Sequence, residues 1–112
     1  MYTVFRTRKF DRELEKQFTK REQEEVENIE RKQFSENPYV GDALGYPFFR
    51  EKKVGGKRVY YLVYDDLKAV LMIAVSDKKT QQETINEIRL HLKEYYEVIK
   101  EAIKQHDESD HV

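Results

Sequence analysis

A chain of 112 residues without cysteine is one domain with a single core, and it has neither a disulfide framework nor thiolate chemistry. No apolar run approaches the ~20 residues of a membrane span, and residues 1–10 carry no apolar leader core, so we expect a cytoplasmic protein. Charged residues make up 38% of the chain with a formal net charge of −1, but the signs are unevenly spread.

Residues 2–6 alternate as a first strand. A helix is expected over residues 9–17, where Phe10, Leu14 and Phe18 fall at i, i+4 and i+8. Thr19 followed by Glu22 is a capping-box pattern, so a second helix starts there and runs to about Ser35, with Val26 and Ile29 inward. Asn37-Pro38 ends it, because proline drives the preceding residue out of the helical region. Residues 39–45 read as a loop.

The stretch from 46 to 79 organises the rest. Gly55-Gly56 sits between two runs of strand formers, a hairpin signal, since tight hairpin turns need positive φ. RVYYLVY at 58–64 and AVLMIAV at 69–75 flank the turn residues Asp65-Asp66. Both runs are apolar on both faces, so they are central strands covered on each side. Thr80 with Glu83 repeats the capping-box pattern. One continuous helix over 80–105 then carries Ile85, Ile88, Leu92, Tyr95, Tyr96, Ile99, Ala102 and Ile103 at alternating spacings of three and four. At 1.5 Å per residue it measures ~39 Å, longer than a strand of ~17–20 Å. Its second half should therefore cover the helical pair or zip onto a second copy as a homodimer. The order β-α-α-β-β-β-α defines an α+β fold on a small, mainly antiparallel sheet. The domain fills residues 1–106, and a frayed tail fills 107–112.

The charged residues place the chemistry. Residues 50–79 hold eight Lys/Arg against four Asp/Glu, whereas 80–112 hold four against eight. A basic sheet rim beside an acidic end points to an anionic partner for the rim. His91, His106 and His111 are scattered, and no metal site or Ser-His-Asp arrangement is visible. The glycine pair precedes a strand rather than a helix, so it is no nucleotide loop. What remains is cations: Arg50, Lys52, Lys53, Lys57, Arg58, Lys78 and Lys79, with Tyr60 on the face of Arg58. Such a patch can bind phosphates and stabilise a phosphorane-like transition state. Edge protection against aggregation is the plainer reading. The turn decides which cations meet. A two-residue turn pairs Lys53 with Arg58 and Glu51 with Tyr60, and turns Arg50 and Lys52 the other way. A three-residue loop pairs Lys52 with Arg58 and Arg50 with Tyr60 on one cationic face. Both types are common.

The element order, the alternating cations before a glycine turn, the strand GKRVYYLVY and the ending AVSDKK resemble the RelE/ParE superfamily of toxin–antitoxin toxins over roughly residues 2–88. The resemblance implies a toxin that cleaves mRNA on the ribosome by attack of the substrate's 2′-hydroxyl on the adjacent phosphate, with no cofactor or metal. Arg50 and Lys52 match the family's basic pair, Arg58 its G-x-R arginine, and Lys78 its arginine after the following strand. Lys52, Arg58 and Lys78 are then the expected catalytic residues, with Lys52 moving the proton because arginine stays charged. Arg50, Lys53, Lys57, Lys79 and Tyr60 would hold RNA. The implied partners are a protein antitoxin, the ribosome and mRNA. ParE-type members share the fold, lack the nuclease residues and inhibit DNA gyrase. A non-toxic relative that binds a protein partner is the third possibility.

Overall fold

A hairpin closes on the glycine pair. In the computed structural model, which describes residues 1–109, strand β3 (Phe49–Val54) runs into β4 (Lys57–Tyr64) through Gly55-Gly56 alone. Val54 stands opposite Lys57, Lys53 opposite Arg58 and Glu51 opposite Tyr60, which is the two-residue register. Gly55 takes φ +61°, a left-handed value that a side chain rarely adopts. The chain returns from β4 to β5 (Ala69–Asp77) through a short 3₁₀ turn at Asp65–Leu67, closed by Lys68 at φ 48°.

The β1 strand (Thr3–Arg6) lies parallel to β5, with Thr3 beside Ala69 and Arg6 beside Met72. An additional strand that the sequence reading took for loop, β2 (Asp42–Tyr46), pairs with β3 at the far edge. The five-stranded sheet has the order β1-β5-β4-β3-β2, antiparallel except for the β1–β5 pair. The two apolar runs are indeed its central strands, and β5 is buried along all but its last residue.

On one face lies the helical pair, α1 (Arg8–Gln17) and α2 (Lys20–Ile29), the latter prolonged by a wider turn over Glu30–Phe34. Thr19 and Glu22 form the predicted capping box. Phe10, Leu14, Phe18, Val26, Ile29 and Phe34 pack there against Val54, Val59, Tyr61, Val63, Val70 and Met72. Arg6 forks onto both carboxylate oxygens of Glu30, at 2.8 and 2.7 Å, and so ties β1 to the end of this pair. Bidentate geometry is what makes an arginine–carboxylate pair strong.

The other face corrects the sequence reading. The expected single helix is two, α3 (Gln81–Leu90) and α4 (Leu92–Ser109), with His91 between them at φ −121°, ψ 19°. The Thr80–Glu83 box does not form, because no side-chain bond caps the helix from Thr80. Asp77 instead accepts from the Thr80 backbone and hydroxyl. After the break α4 returns over the sheet. Ile99 is 0% exposed among Phe49, Tyr60, Leu62, Leu71 and Ile88. Tyr96 meets the Tyr64 ring and donates to Asp66 at 3.0 Å. The stripe that invited a zipper with a second copy thus packs on the chain's own sheet through Ile99, with Leu92, Tyr95, Tyr96 and Ile103 half-buried beside it. The helix continues to Ser109, and residues 110–112 of the expected tail lie outside the described residues. No helix of the described residues is long and apolar enough to cross a membrane.

At the base of the sheet the Asp65 carboxylate accepts from the hydroxyls of Tyr2 and Tyr39. These bonds favour the charged form and hold Asp65 below its ordinary value. A depressed folded-state pKa contributes stability above the unfolded value, and that contribution is lost as pH falls through the folded one. Replacing both tyrosines with phenylalanine should move the Asp65 midpoint upward in an NMR carboxyl titration. An unmoved midpoint would show that the two hydroxyls are not the cause.

Candidate active site

The hairpin register divides the predicted cations between the two faces of the sheet. Arg50 and Lys52 stand opposite Tyr61 and Val59, on the face covered by α1 and α2. Arg58 stands opposite Lys53 and Ser76 and shares its face with Glu51 and Tyr60, toward α3. The single cationic face is therefore not formed.

Two of the cations hold backbone. The Arg50 guanidinium donates to the carbonyls of Tyr39, Gly41 and Pro47 at 2.6–3.1 Å and lies 5.3 Å from the Tyr39 ring centroid. It locks the loop that leads into β2. Gly41 passes so close that a Cβ there would sit 2.3 Å from the Glu51 carbonyl oxygen. Lys57 reaches the Gln17 carbonyl, pairs with Glu22 at 3.0 Å and covers the Phe18 ring, so it pins the α1–α2 joint.

Around Arg58 the sheet holds a polar cluster in an apolar surround. Arg58 is 9% and Glu51 4% exposed. The Arg58 Nε lies 3.7 Å from a Glu51 oxygen, near enough for charge attraction and too far for a hydrogen bond. That Nε is buried without a hydrogen-bond partner. Gln81, in the first turn of α3, donates its amide to both Glu51 oxygens at 3.0 and 3.1 Å. Beside them the Tyr60 hydroxyl and Ser76 Oγ share a hydrogen bond of 2.7 Å. Burial pushes the Tyr60 hydroxyl up, so it stays neutral at physiological pH. Lys53 is exposed on the rim of this face, and Lys78 and Lys79 are exposed in the turn after β5.

Glu51 is the residue that the sequence reading passed over. It lies inside a run of cations, where its own charge gives no sign of a site. Its presence beside Arg58 supplies, on this face, a group able to accept a proton next to one able to hold a phosphate. Among the described residues no cluster of three His, Cys, Asp or Glu is arranged to hold a metal.

No protein-family model matches the sequence, and no curated protein matches it. Solved structures do. A chain of the RelBE2 toxin–antitoxin complex from Mycobacterium tuberculosis is 25% identical, with 69% of this chain and 98% of that one covered and a TM-score of 0.60. The intact E. coli RelBE toxin–antitoxin complex matches at 20% identity, covering 69% and 96%, with a TM-score of 0.59. A mutant of the E. coli toxin RelE in the free state matches at 19%, covering 77% and 90%, with a TM-score of 0.64. The chain has a RelE-like toxin fold.

Proposed function

We propose that this chain is the toxin of a type II toxin–antitoxin pair and acts as a ribosome-dependent mRNA endonuclease. The observation that carries the reading is the Glu51–Arg58 pair, set into the sheet of a RelE-like fold with exposed lysines at its rim. Glu51 takes the proton from a ribose 2′-hydroxyl, and that oxygen attacks the adjacent phosphorus. The bond to the 5′-oxygen breaks, leaving a 2′,3′-cyclic phosphate, and a rim ammonium (Lys53 or Lys78) protonates the departing oxygen. Arg58 offsets the charge that gathers on the phosphoryl oxygens. Lys79 binds a flanking phosphate. Lys52 faces the helical pair, so the proton-transfer role passes to Glu51. Gln81 covers the carboxylate, and the proposed mechanism requires it to give way to the RNA. The partners on this reading are the ribosome, mRNA and a cognate antitoxin, and the compartment is the cytoplasm.

Expression without an antitoxin should arrest growth, with new mRNA 5′ ends on primer extension. Glu51→Gln should slow cleavage on purified ribosomes about 10²-fold or more while binding is retained. Cleavage at the parent rate by Glu51→Gln would remove the proposed base, and growth without arrest would remove the toxin reading. A second reading is ParE-like inhibition of DNA gyrase. Arg50 and Lys57 favour it, because their side chains hold backbone carbonyls rather than a free cationic surface. Growth arrest with intact mRNA selects it.

A further inference from the structure

The sheet has an unfinished edge on the side away from β2. Pairing between β1 and β5 stops at Arg6 and Met72, with one more bond from the Thr7 amide to the Met72 carbonyl. Among the described residues, no backbone pairs with residues 73–77 on that side. The edge is not simply open to solvent. It forms the floor of a trough of about 450 Å³ walled by α1 on one side and α3 on the other. Ala74 and Val75 lie in the floor, so the strand itself carries no charge there to repel an added strand. The walls are acidic. Glu13, Asp77, Glu83 and Glu87 line the trough against one cation, Lys9. Among the described residues Glu13, Glu83 and Glu87 form no ion pair with a lysine or arginine, while Asp77 feels the charge of Lys79. Glu13 accepts from Gln17, Asp77 from Thr80, and Glu87 faces His91.

We propose that this trough binds an extended, basic segment of a protein partner, which adds to the bare edge of β5 as a further strand. Backbone groups of the segment would satisfy those groups of residues 73–77 that point away from β4, the general mode of strand addition. At about 3.3 Å per residue the floor accommodates four or five residues. Its lysine or arginine side chains would reach the carboxylates on the walls, which set the charge preference and the salt dependence. A polyanion is disfavoured by the same carboxylates, so the trough is chemically opposite to the Arg58 face. The inference does not depend on nuclease activity.

The test is a titration of the full chain with a labelled short peptide of alternating lysine and valine, with a glutamate–valine peptide as control. The amides of residues 73–77 are followed by NMR. The lysine peptide should shift these amides, slow their hydrogen exchange and bind more weakly as salt is raised. The double variant Glu83→Gln/Glu87→Gln, at two exposed positions, should bind it about tenfold more weakly, the scale of two rim charges. Four results would overturn the proposal: no binding, equal binding by the double variant, equal binding of the glutamate peptide, or shifts confined to other surfaces. Shifts of these same amides on addition of a uridine oligonucleotide alone would also overturn it, by making the trough an RNA surface.

Discussion

Arg58→Ala is expected to abolish growth arrest and mRNA cleavage and to lower stability by about 3 kcal/mol. On the proposed mechanism the activity loss follows from removing the group that offsets charge on the phosphoryl oxygens. The stability loss follows from burial. A rim cation would cost almost nothing to remove, but Arg58 is nearly enclosed and its loss leaves Glu51 as an unpaired buried carboxylate. Breaking a buried pair from one side costs about 3–5 kcal/mol. The separation of 3.7 Å places this pair at the low end. A second variant tests the stability account. Arg58→Met combined with Glu51→Gln removes both charges, so its denaturant midpoint should return close to the parent value while cleavage stays absent. A stable Arg58→Ala protein that still arrests growth would remove Arg58 from the site.

Ile99→Ala should cost about 3 kcal/mol, within the range of about 2–5 kcal/mol for emptying an isoleucine site in a packed core. Ile99 is wholly enclosed between α4 and the sheet, against Tyr60, Leu71 and Ile88. Urea unfolding measures the loss, and light scattering of parent and variant accompanies it. Both should run as monomers, because the stripe packs on the chain's own sheet. If Ile99 instead sat in a zipper between copies, the parent would run as a dimer and the variant would dissociate.

The legible parts of the fold were those where local chemistry and burial agree. The hairpin at the glycine pair, though not its register, the apolar runs of β4 and β5 and the Thr19–Glu22 box are each marked in the sequence and formed. β2 was not legible, since Asp42–Tyr46 is a largely exposed edge with a glycine and no apolar alternation. The break at His91 left no mark either. No proline or glycine stands there, and the three-four spacing of apolar residues runs on across it. The break reverses the consequence of that spacing, since it brings Tyr95, Tyr96 and Ile99 back to the sheet instead of past it. In the site, the sequence set out both hairpin registers, and a single turn residue decides between them. Arg50 and Lys57 carried the right charge for phosphate, but their carbonyl partners lie across folds of the chain that charge counting does not see. Glu51 became visible only once the register placed it beside Arg58.

The pairing of β1 with β5 sets an order of assembly. Thr3 can find its place only after Ala69 exists, so β1 is seated only once β5 has been made. Contacts between distant parts of a chain are slow to form because the intervening loop must close first. A nascent chain leaving the ribosome holds its first strand in waiting until β5 has emerged, and until then the helical pair has no complete sheet to lie on. A fragment that stops before residue 69 lacks this partner altogether and should remain unfolded. Docking of β1 therefore waits on synthesis of β5, an interval during which another polypeptide can reach the growing chain.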